Sequence, residues 1–209
     1  MAGDISTAVE LHDELIISLG RERICYRHPE NDGYIIKIEQ DKGVGRTSMN
    51  DKELEGYRLL QQEVTDISFV SHCHGYVDTT LGRGLLCDCI RDHDNAVSRT
   101  IWDIIVQEEN CDIDAVLTTA RKLCDLLMSG RIWLFDLNPK NIALKRLADG
   151  GFKAYVIDLK GRSENKELIP VSRYIEYFSL KKLQRRSEQL LARIEDYHQR
   201  REELRKLDI

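Results

Sequence analysis

The sequence contains few cysteines, no long hydrophobic run and no excess of positive charge, and each of these absences excludes a class of protein. Six cysteines in 209 residues are too few for a disulfide-held scaffold. No apolar run approaches the roughly 20 residues of a membrane-spanning helix, and residues 1–14 lack the basic and apolar regions of a secretory signal. The formal net charge of -5 disfavours nucleic acid as a partner. We therefore expect a cytoplasmic protein with no membrane span and no nucleic-acid partner.

The cysteines and histidines allow one metal-binding interpretation. His72, Cys73 and His74 follow one another in one apolar stretch, and Cys87 and Cys89 alternate in the next. Neither group has the C-x2-C spacing that is typical of a structural zinc site. We expect the cysteines to be reduced and largely buried, and a zinc-binding module through residues 72–74 is the minor alternative.

The chain changes from strands to helices near its middle. Hydrophobic residues make up 42% of the sequence, which is enough for a core. Before residue 91, short runs rich in β-branched and aromatic residues predict strands. The run 48–64 predicts one helix, in which Asn50 and Glu53 have the spacing of a capping box. The predicted strands are 14–20, 24–27, 34–39, 69–79 and 83–90.

The second half predicts helices around one short hairpin. Apolar residues recur at helical spacing over 113–128, with Asp112 as the N-cap and Gly130 at the end. Strands are predicted at 141–144 and 153–159, and a highly charged helix over 174–206. The narrow apolar stripe of that last helix favours a helix lying on the domain, with a partner-binding or coiled-coil surface as the alternative.

One polar loop lies between apolar runs, in the segment Trp133–Leu144. Pro139 excludes a continuous helix or a central strand there, because it lacks an N–H group and restricts Asn138 before it. Asp136 and Asn141 are five residues apart around this proline. They could be simple turn formers, since such side chains bond to local backbone, but their spacing also suits a site.

A second carboxylate is expected to join this loop. Asp158 stands at the end of the apolar stretch 153–159. If strands 141–144 and 153–159 pair as a hairpin, Asn141 and Asp158 meet at the same end. Two such oxygen ligands suit Mg²⁺, which completes its shell with phosphate and water. Asp136 would then accept a hydrogen bond or a proton from an incoming hydroxyl.

These residues resemble the motifs of protein kinases and small-molecule phosphotransferases. The stretch "FDLNPKN" resembles the catalytic loop, "IDLKG" resembles the metal-binding D-F-G, and "YIIKI" resembles the strand that carries the ATP lysine, here Lys37. The resemblance implies a helix glutamate that pairs with this lysine, at Glu53 with Glu55 as the rival. It also implies a hinge at Asp88, Cys89 and Ile90, whose backbone groups bind adenine.

Over about residues 15 to 190 the chain resembles more specifically the bacterial YrbL family, the PhoP regulatory network proteins. The similar stretches include "LGRERICYRHPENDGYIIKI", "KELEGYRLL" and "LNPKNIAL". The resemblance implies an α+β fold of reduced protein-kinase type, in two lobes: an antiparallel-sheet N-lobe with one αC-like helix and a small helical C-lobe. The corresponding division is 1–12 as an N-terminal extension, 13–90 as the N-lobe and 91–209 as the C-lobe with the catalytic loop and the charged C-terminal helix.

The glycine-rich loop departs from the kinase pattern. Gly20 is kept, but Glu22 and Ile24 occupy places where kinases prefer small residues. An acidic side chain repels phosphates, although backbone N–H groups could still bind one. We therefore expect weak or altered ATP binding.

The catalytic segment departs from it as well. Leu134 and Phe135 replace the usual H-R, so a receptor for a phosphorylated activation loop is missing. Asn138 replaces the lysine that is common in protein kinases, and only 48 residues follow Gly161, without an A-P-E motif. These differences favour a small-molecule or glycan acceptor over a protein.

The sequence therefore favours an ATP- and Mg²⁺-dependent phosphotransferase. Lys37, oriented by Glu53, would hold the phosphates, Asn141 and Asp158 would hold Mg²⁺, and Asp136 would orient or deprotonate the acceptor hydroxyl. The alternative is a pseudokinase, a nucleotide-sensing or scaffold protein that binds a partner through its charged C-terminal helix.

Overall fold

The computed structural model describes residues 8–40, 48–134, 136–159 and 176–207. Phe135, Gly161 and the start of the predicted C-terminal helix lie outside these ranges. Within them, two antiparallel sheets and four α-helices form a mixed α+β fold, as predicted. No helix of the described ranges is both long and apolar enough to cross a lipid bilayer.

The N-terminal lobe is built on a five-stranded antiparallel sheet. Its strands lie in the order β1-β2-β3-β5-β4. The chain therefore passes from β3 to β4 at the edge of the sheet, and β5 then fills the place between them. Alternation along β3 divides its side chains between the two faces. Ile36 and Ile38 pack with Leu11 and Tyr26 on the outer face, whereas Lys37 points into the fold. The strands are β1 (Ile16–Leu19), β2 (Arg23–Arg27), β3 (Tyr34–Glu39), β4 (Cys73–Thr79) and β5 (Gly82–Asp88).

The segment just before β1 packs on this sheet instead of extending from it. The Val9 N–H donates to the Asp78 carbonyl at 2.9 Å, and the Thr80 N–H donates to the Val9 carbonyl at 3.0 Å. Leu11 is buried in the outer core. Residues 8–12, assigned above to an N-terminal extension, therefore belong with the sheet.

Helix α1 (Met49–Glu63) crosses the inner face of the sheet. Its N-cap is Ser48, whose side chain accepts a hydrogen bond from the Asp51 N–H at 3.0 Å. The capping box predicted at Asn50 and Glu53 is wrong, because the cap lies two residues earlier. Asn50 and Glu53 thereby fall inside the helix, where both are buried against the sheet.

In its described residues, the C-terminal lobe contains a three-stranded sheet and three α-helices. Strands β6 (Arg99–Thr100), β7 (Ile142–Arg146) and β8 (Phe152–Val156) pair in that order. The predicted hairpin between β7 and β8 is confirmed, with Ile142 opposite Val156. Two backbone hydrogen bonds connect β8 to the N-terminal lobe. The Ser71 N–H donates to the Val156 carbonyl, and the Val156 N–H donates to the Phe69 carbonyl.

Two helices lie between β6 and β7. Helix α2 (Ile101–Gln107) begins at a capping box between Thr100 and Asp103 and was not predicted. Its sequence "IWDIIVQ" is short and rich in β-branched residues, so that periodicity alone cannot separate a helix from a strand. Helix α3 (Ile113–Ser129) has Asp112 as its N-cap and Gly130 at its end, as predicted.

Helix α4 (Glu176–Leu207) lies along the C-terminal lobe. Leu183, Leu190 and Ile194 are at most 1% exposed and belong to the same core as α2 and α3. The rings of Tyr197 and Trp102, on α4 and α2, meet edge to face at 4.5 Å. The narrow apolar stripe therefore packs α4 on the domain, as the sequence favoured.

Candidate functional site

A cavity of about 720 Å³ lies between the two lobes. Its walls come from the β1–β2 turn, β3, the segment after β5, α2 and the ends of β7 and β8. Seven of the site residues predicted from the sequence line it: Gly20, Lys37, Asp88, Cys89, Ile90, Asn141 and Asp158. The fold thus brings together residues that are up to 138 positions apart in the sequence.

Lys37 forms a buried ion pair with Glu53 on α1. Lys37 Nζ lies 2.6 Å from Glu53 Oε1 and donates a second hydrogen bond to the Ile157 carbonyl at 2.7 Å. The two side chains are 4% and 3% exposed. Burial by itself would lower the pKa of Lys37, but the neighbouring acidic groups, first the Glu53 carboxylate and then Cys87 and Asp158, together raise that pKa. The rival Glu55 is exposed on the opposite side of the helix.

Arg23 is a site residue that the sequence did not reveal. From the start of β2 its guanidinium reaches both Glu53 and Asp158: Nη1 donates to Glu53 Oε2 and, at 3.2 Å, to Asn50 Oδ1. Nη2 donates to Asp158 Oδ1 at 2.9 Å. The side chain is only 10% exposed. Burial would lower the pKa of Arg23, but the carboxylates of Glu53 and Asp158 raise it further than burial lowers it.

A signal for Arg23 was present in the strand register. Cys25 lies opposite Lys37, and Arg23 lies opposite Glu39. Because side chains alternate along a strand, Arg23 and Cys25 share the face that carries Lys37. The pairing of β2 with β3 therefore directs Arg23 into the cleft.

The loop between α3 and β7 holds Asp136 and Asn141 at a fixed spacing. Asn138 caps a 3-10 turn at Pro139–Asn141, and its side chain accepts from the Lys140 N–H at 3.1 Å. Asn141 Nδ2 donates to Asp136 Oδ2 at 3.1 Å. Asn138 is thus the turn former of this loop, and Asp136 and Asn141 contact each other across it.

Asn141 and Asp158 lie at the same end of the β7–β8 hairpin, as predicted. The Ile157 N–H donates to the Asn141 carbonyl at 3.0 Å, which fixes the two strand ends side by side. Asp136 lines a narrow recess beside the main cavity, and Asp158 lines both spaces. A carboxylate and an amide oxygen are ligands of the kind that Mg²⁺ takes. The donor set therefore fits this ion, although Asp158 Oδ1 also accepts from Arg23.

The three residues of the zinc alternative do not form one ligand group: the ring centres of His72 and His74 lie 4.5 Å apart, but Cys73 faces Cys87 instead. His72 Nδ1 and the Tyr57 hydroxyl are 2.5 Å apart, and His74 Nε2 lies 2.7 Å from Asp88 Oδ1. Cys73 Sγ faces Cys87 Sγ at 3.4 Å. All six cysteines are free, and four of them are buried, as expected.

Helix α4 supports the loop that carries Asp136. Arg186 Nη1 donates to the Leu134 carbonyl at 2.8 Å, two residues before Asp136. On the cavity side, Lys140 Nζ lies 4.4 Å from the centre of the Trp102 ring. The loop is therefore held between α2 and α4.

Comparison with known proteins identifies the family. The family described as PhoP regulatory network protein YrbL matches residues 9–195 of the chain. The chain belongs to the YrbL family. It is 30% identical to YrbL of Escherichia coli (strain K12) over 187 residues, which cover 88% of this chain and 87% of that protein. The YrbL protein of Shigella flexneri matches with the same identity and coverage.

A solved structure described as the apo GRMZM2G135359 pseudokinase is also similar in shape. The TM-score is 0.45 at 13% sequence identity, with 75% of this chain covered. The match spans 64% of the pseudokinase chain. The chain carries Lys37 on β3, Glu53 on α1, the segment 88–90, Asn141 and Asp158 in the order that the kinase resemblance implies, and all of these except Glu53 line the main cavity.

Proposed function

We propose that the protein is an ATP- and Mg²⁺-dependent phosphotransferase that acts on a hydroxyl group. The observation that carries this proposal is the buried Lys37–Glu53 pair at 2.6 Å, on the wall of the cavity that Asn141 and Asp158 also line. A lysine held by a helix glutamate is what a kinase-like site uses to bind nucleotide phosphates. The cytoplasm is the proposed compartment.

Each predicted residue has a separate task in this proposal. Lys37 binds the α- and β-phosphates, and the backbone at Gly20 covers them. Asn141 and Asp158 hold Mg²⁺, which neutralises charge that develops on the transferred phosphoryl group. Asp136, held by Asn141 at 3.1 Å, orients the acceptor hydroxyl or takes its proton.

The segment Asp88–Ile90 is the proposed adenine-binding hinge. Four of its backbone groups already have partners within the fold. The Asp88 N–H donates to the His72 carbonyl at 2.9 Å, and the Asp88 carbonyl accepts from the Ser71 hydroxyl at 3.0 Å. The Cys89 N–H donates to the Gly33 carbonyl at 2.7 Å, and the Ile90 carbonyl accepts from the Ser98 N–H at 2.9 Å. Adenine would therefore bond to other backbone groups of the hinge.

A small molecule or a glycan is the proposed acceptor. The part of the cavity wall formed by α2 and the catalytic loop carries hydroxyl, carboxylate, amide and ammonium groups from Thr100, Asp103, Gln107 and Lys140. Such groups suit a ligand with many hydroxyls. A protein acceptor is the less favoured choice in this proposal.

A pseudokinase is the second candidate, and one observation favours it. Arg23 Nη2 donates to Asp158 Oδ1 at 2.9 Å, so the carboxylate that a kinase gives to its metal already has a cationic partner. A nucleotide-sensing protein would need the buried Lys37–Glu53 pair but not an accessible metal site.

The two candidates differ in what the catalytic aspartate does. We would measure thermal stabilisation by ATP with and without Mg²⁺, and ATP turnover with sugar acceptors, in the wild type and in Asp136→Asn. Asp125→Asn, an exposed substitution on α3, is the matched control. The phosphotransferase predicts stabilisation in all three proteins and loss of turnover in Asp136→Asn alone. Stabilisation without any turnover that depends on Asp136 would favour the pseudokinase, and no stabilisation at all would reject the nucleotide site.

A further inference from the structure

Arg23 joins the two carboxylates that a kinase-like site keeps for different partners. One nitrogen of its guanidinium contacts Glu53, the partner of Lys37, and the other contacts Asp158 at 2.9 Å. Asn50 Oδ1 holds the same Nη1 at 3.2 Å. With 10% of the side chain exposed, this is a buried contact set and not a surface ion pair.

The charges of this cluster balance without any metal. Arg23 and Lys37 carry one positive charge each, and Glu53 and Asp158 carry one negative charge each, so the formal sum is zero. In a site without Arg23, the Lys37–Glu53 pair would be neutral and Asp158 would keep its negative charge for a divalent cation. Here a cation that approached Asp158 would meet a guanidinium already bonded to that carboxylate.

Arg23 also has an alternative partner if a nucleotide enters. Its side chain lines the same cavity as Lys37. Guanidinium groups bind phosphate oxygens in the same forked geometry as carboxylates. A phosphate chain beside Lys37 would thus offer Arg23 a partner that replaces Asp158.

We infer that Arg23 excludes divalent cations from Asp158 until nucleotide phosphates draw its guanidinium away, so that nucleotide binds before metal. The inference rests on the proposed function in taking Asp158 as a metal ligand and in placing nucleotide phosphates beside Lys37. It makes Arg23 a positioning residue that controls the order of binding. The metal site is closed in the nucleotide-free protein and opens when the phosphates arrive.

The test uses Mn²⁺ alone, without nucleotide, and follows the electron paramagnetic resonance signal of the free ion. We expect Arg23→Gln to bind Mn²⁺ at least about tenfold more tightly than the wild type, because a positive charge next to the ligand is removed. Arg21→Gln removes a charge from the same turn at an exposed position and should bind like the wild type. The double variant with Arg23→Gln and Asp158→Asn should lose the gain in Mn²⁺ affinity.

A second comparison leaves Arg23 in place, in case Arg23→Gln fails to fold. Asp158→Asn alone should change Mn²⁺ binding by less than about twofold, since Arg23 already occupies that carboxylate. Equal Mn²⁺ affinities in wild type and folded Arg23→Gln would overturn the inference. So would a wild type whose Mn²⁺ binding falls about tenfold in Asp158→Asn. Neither result depends on ATP binding or turnover, so it is separate from the test of the proposed function.

Discussion

Replacing Glu53 by glutamine tests the buried charge cluster directly. Glu53 is 3% exposed and contacts two cations, Lys37 at 2.6 Å and Arg23, which are themselves 4% and 10% exposed. The substitution keeps the side-chain volume but leaves the cluster with one uncompensated positive charge. Breaking a buried ion pair from one side costs about 3–5 kcal/mol. Because glutamine can still accept a hydrogen bond, we expect Glu53→Gln to lower the free energy of unfolding by about 3 kcal/mol.

Urea unfolding followed by circular dichroism measures this loss. The expected loss of unfolding free energy corresponds to a decrease in Tm of about 6–12 °C for a chain of this length. Glu55→Gln is the matched control, because Glu55 is exposed two residues away on the same helix. Its effect should stay within about 0.5 kcal/mol.

A double variant tests whether charge balance is the reason. Arg23→Gln with Glu53→Gln restores a formal sum of zero, since Lys37 and Asp158 remain. We expect its destabilisation to be smaller than the sum of the two single losses by at least about 1 kcal/mol. A loss below about 1 kcal/mol in Glu53→Gln, or an equal loss in Glu55→Gln, would refute the reasoning.

Two further predictions concern the rest of the fold. Leu190→Ala on α4 should lower the free energy of unfolding by about 2–5 kcal/mol, because Leu190 is fully buried. Leu204→Ala, at a position that is 62% exposed, should have little effect in the same urea titration. Similar results for both variants would show that α4 does not pack on the domain. Burial raises the pKa of Tyr57 and Tyr76 to about 12 from an ordinary value of 10.0. The unfolded chain then loses these protons first, so stability is full below pH 10.0 and falls between there and about pH 12. Urea titrations at about pH 9 and about pH 11 should show this fall in stability, and phenylalanine at both positions should reduce it. If stability falls equally with pH in the phenylalanine variant, the raised pKa values of Tyr57 and Tyr76 are not its cause.

Local patterns in the sequence predicted most of the N-terminal lobe. Strand β3 has the bounds Tyr34–Glu39 that its run of aromatic and β-branched residues predicted, and Lys37 lies on it as expected. The pairing of Lys37 with Glu53 followed from the order of kinase-like motifs, not from any local signal. The pairing with Lys37 also explains why Glu53 takes no part in capping the helix. A residue needed against the sheet has to lie within the helix, and Ser48 takes the cap instead.

Contacts between distant residues explain why the sequence did not predict the position of Arg23. Arg23 has partners 27, 30 and 135 positions away, so no window of sequence contains them together. In a glycine-rich-loop segment, an arginine suggests a solvated surface residue. Helix α2 was missed because its short apolar run fits a strand equally well, although the capping-box spacing of Thr100 and Asp103 is a local signal for its start.

The contact between Arg186 and the Leu134 carbonyl has a consequence for synthesis on the ribosome. Domains fold from the N-terminal side as the chain emerges. The wall with Lys37 and Glu53 can form from residues that are made early. The Asp136 loop receives its support from α4 about 50 residues later, as judged from the 52 positions between the two partners. An unfinished chain would therefore present the wall with Lys37 and Glu53 before Asp136 is held in place.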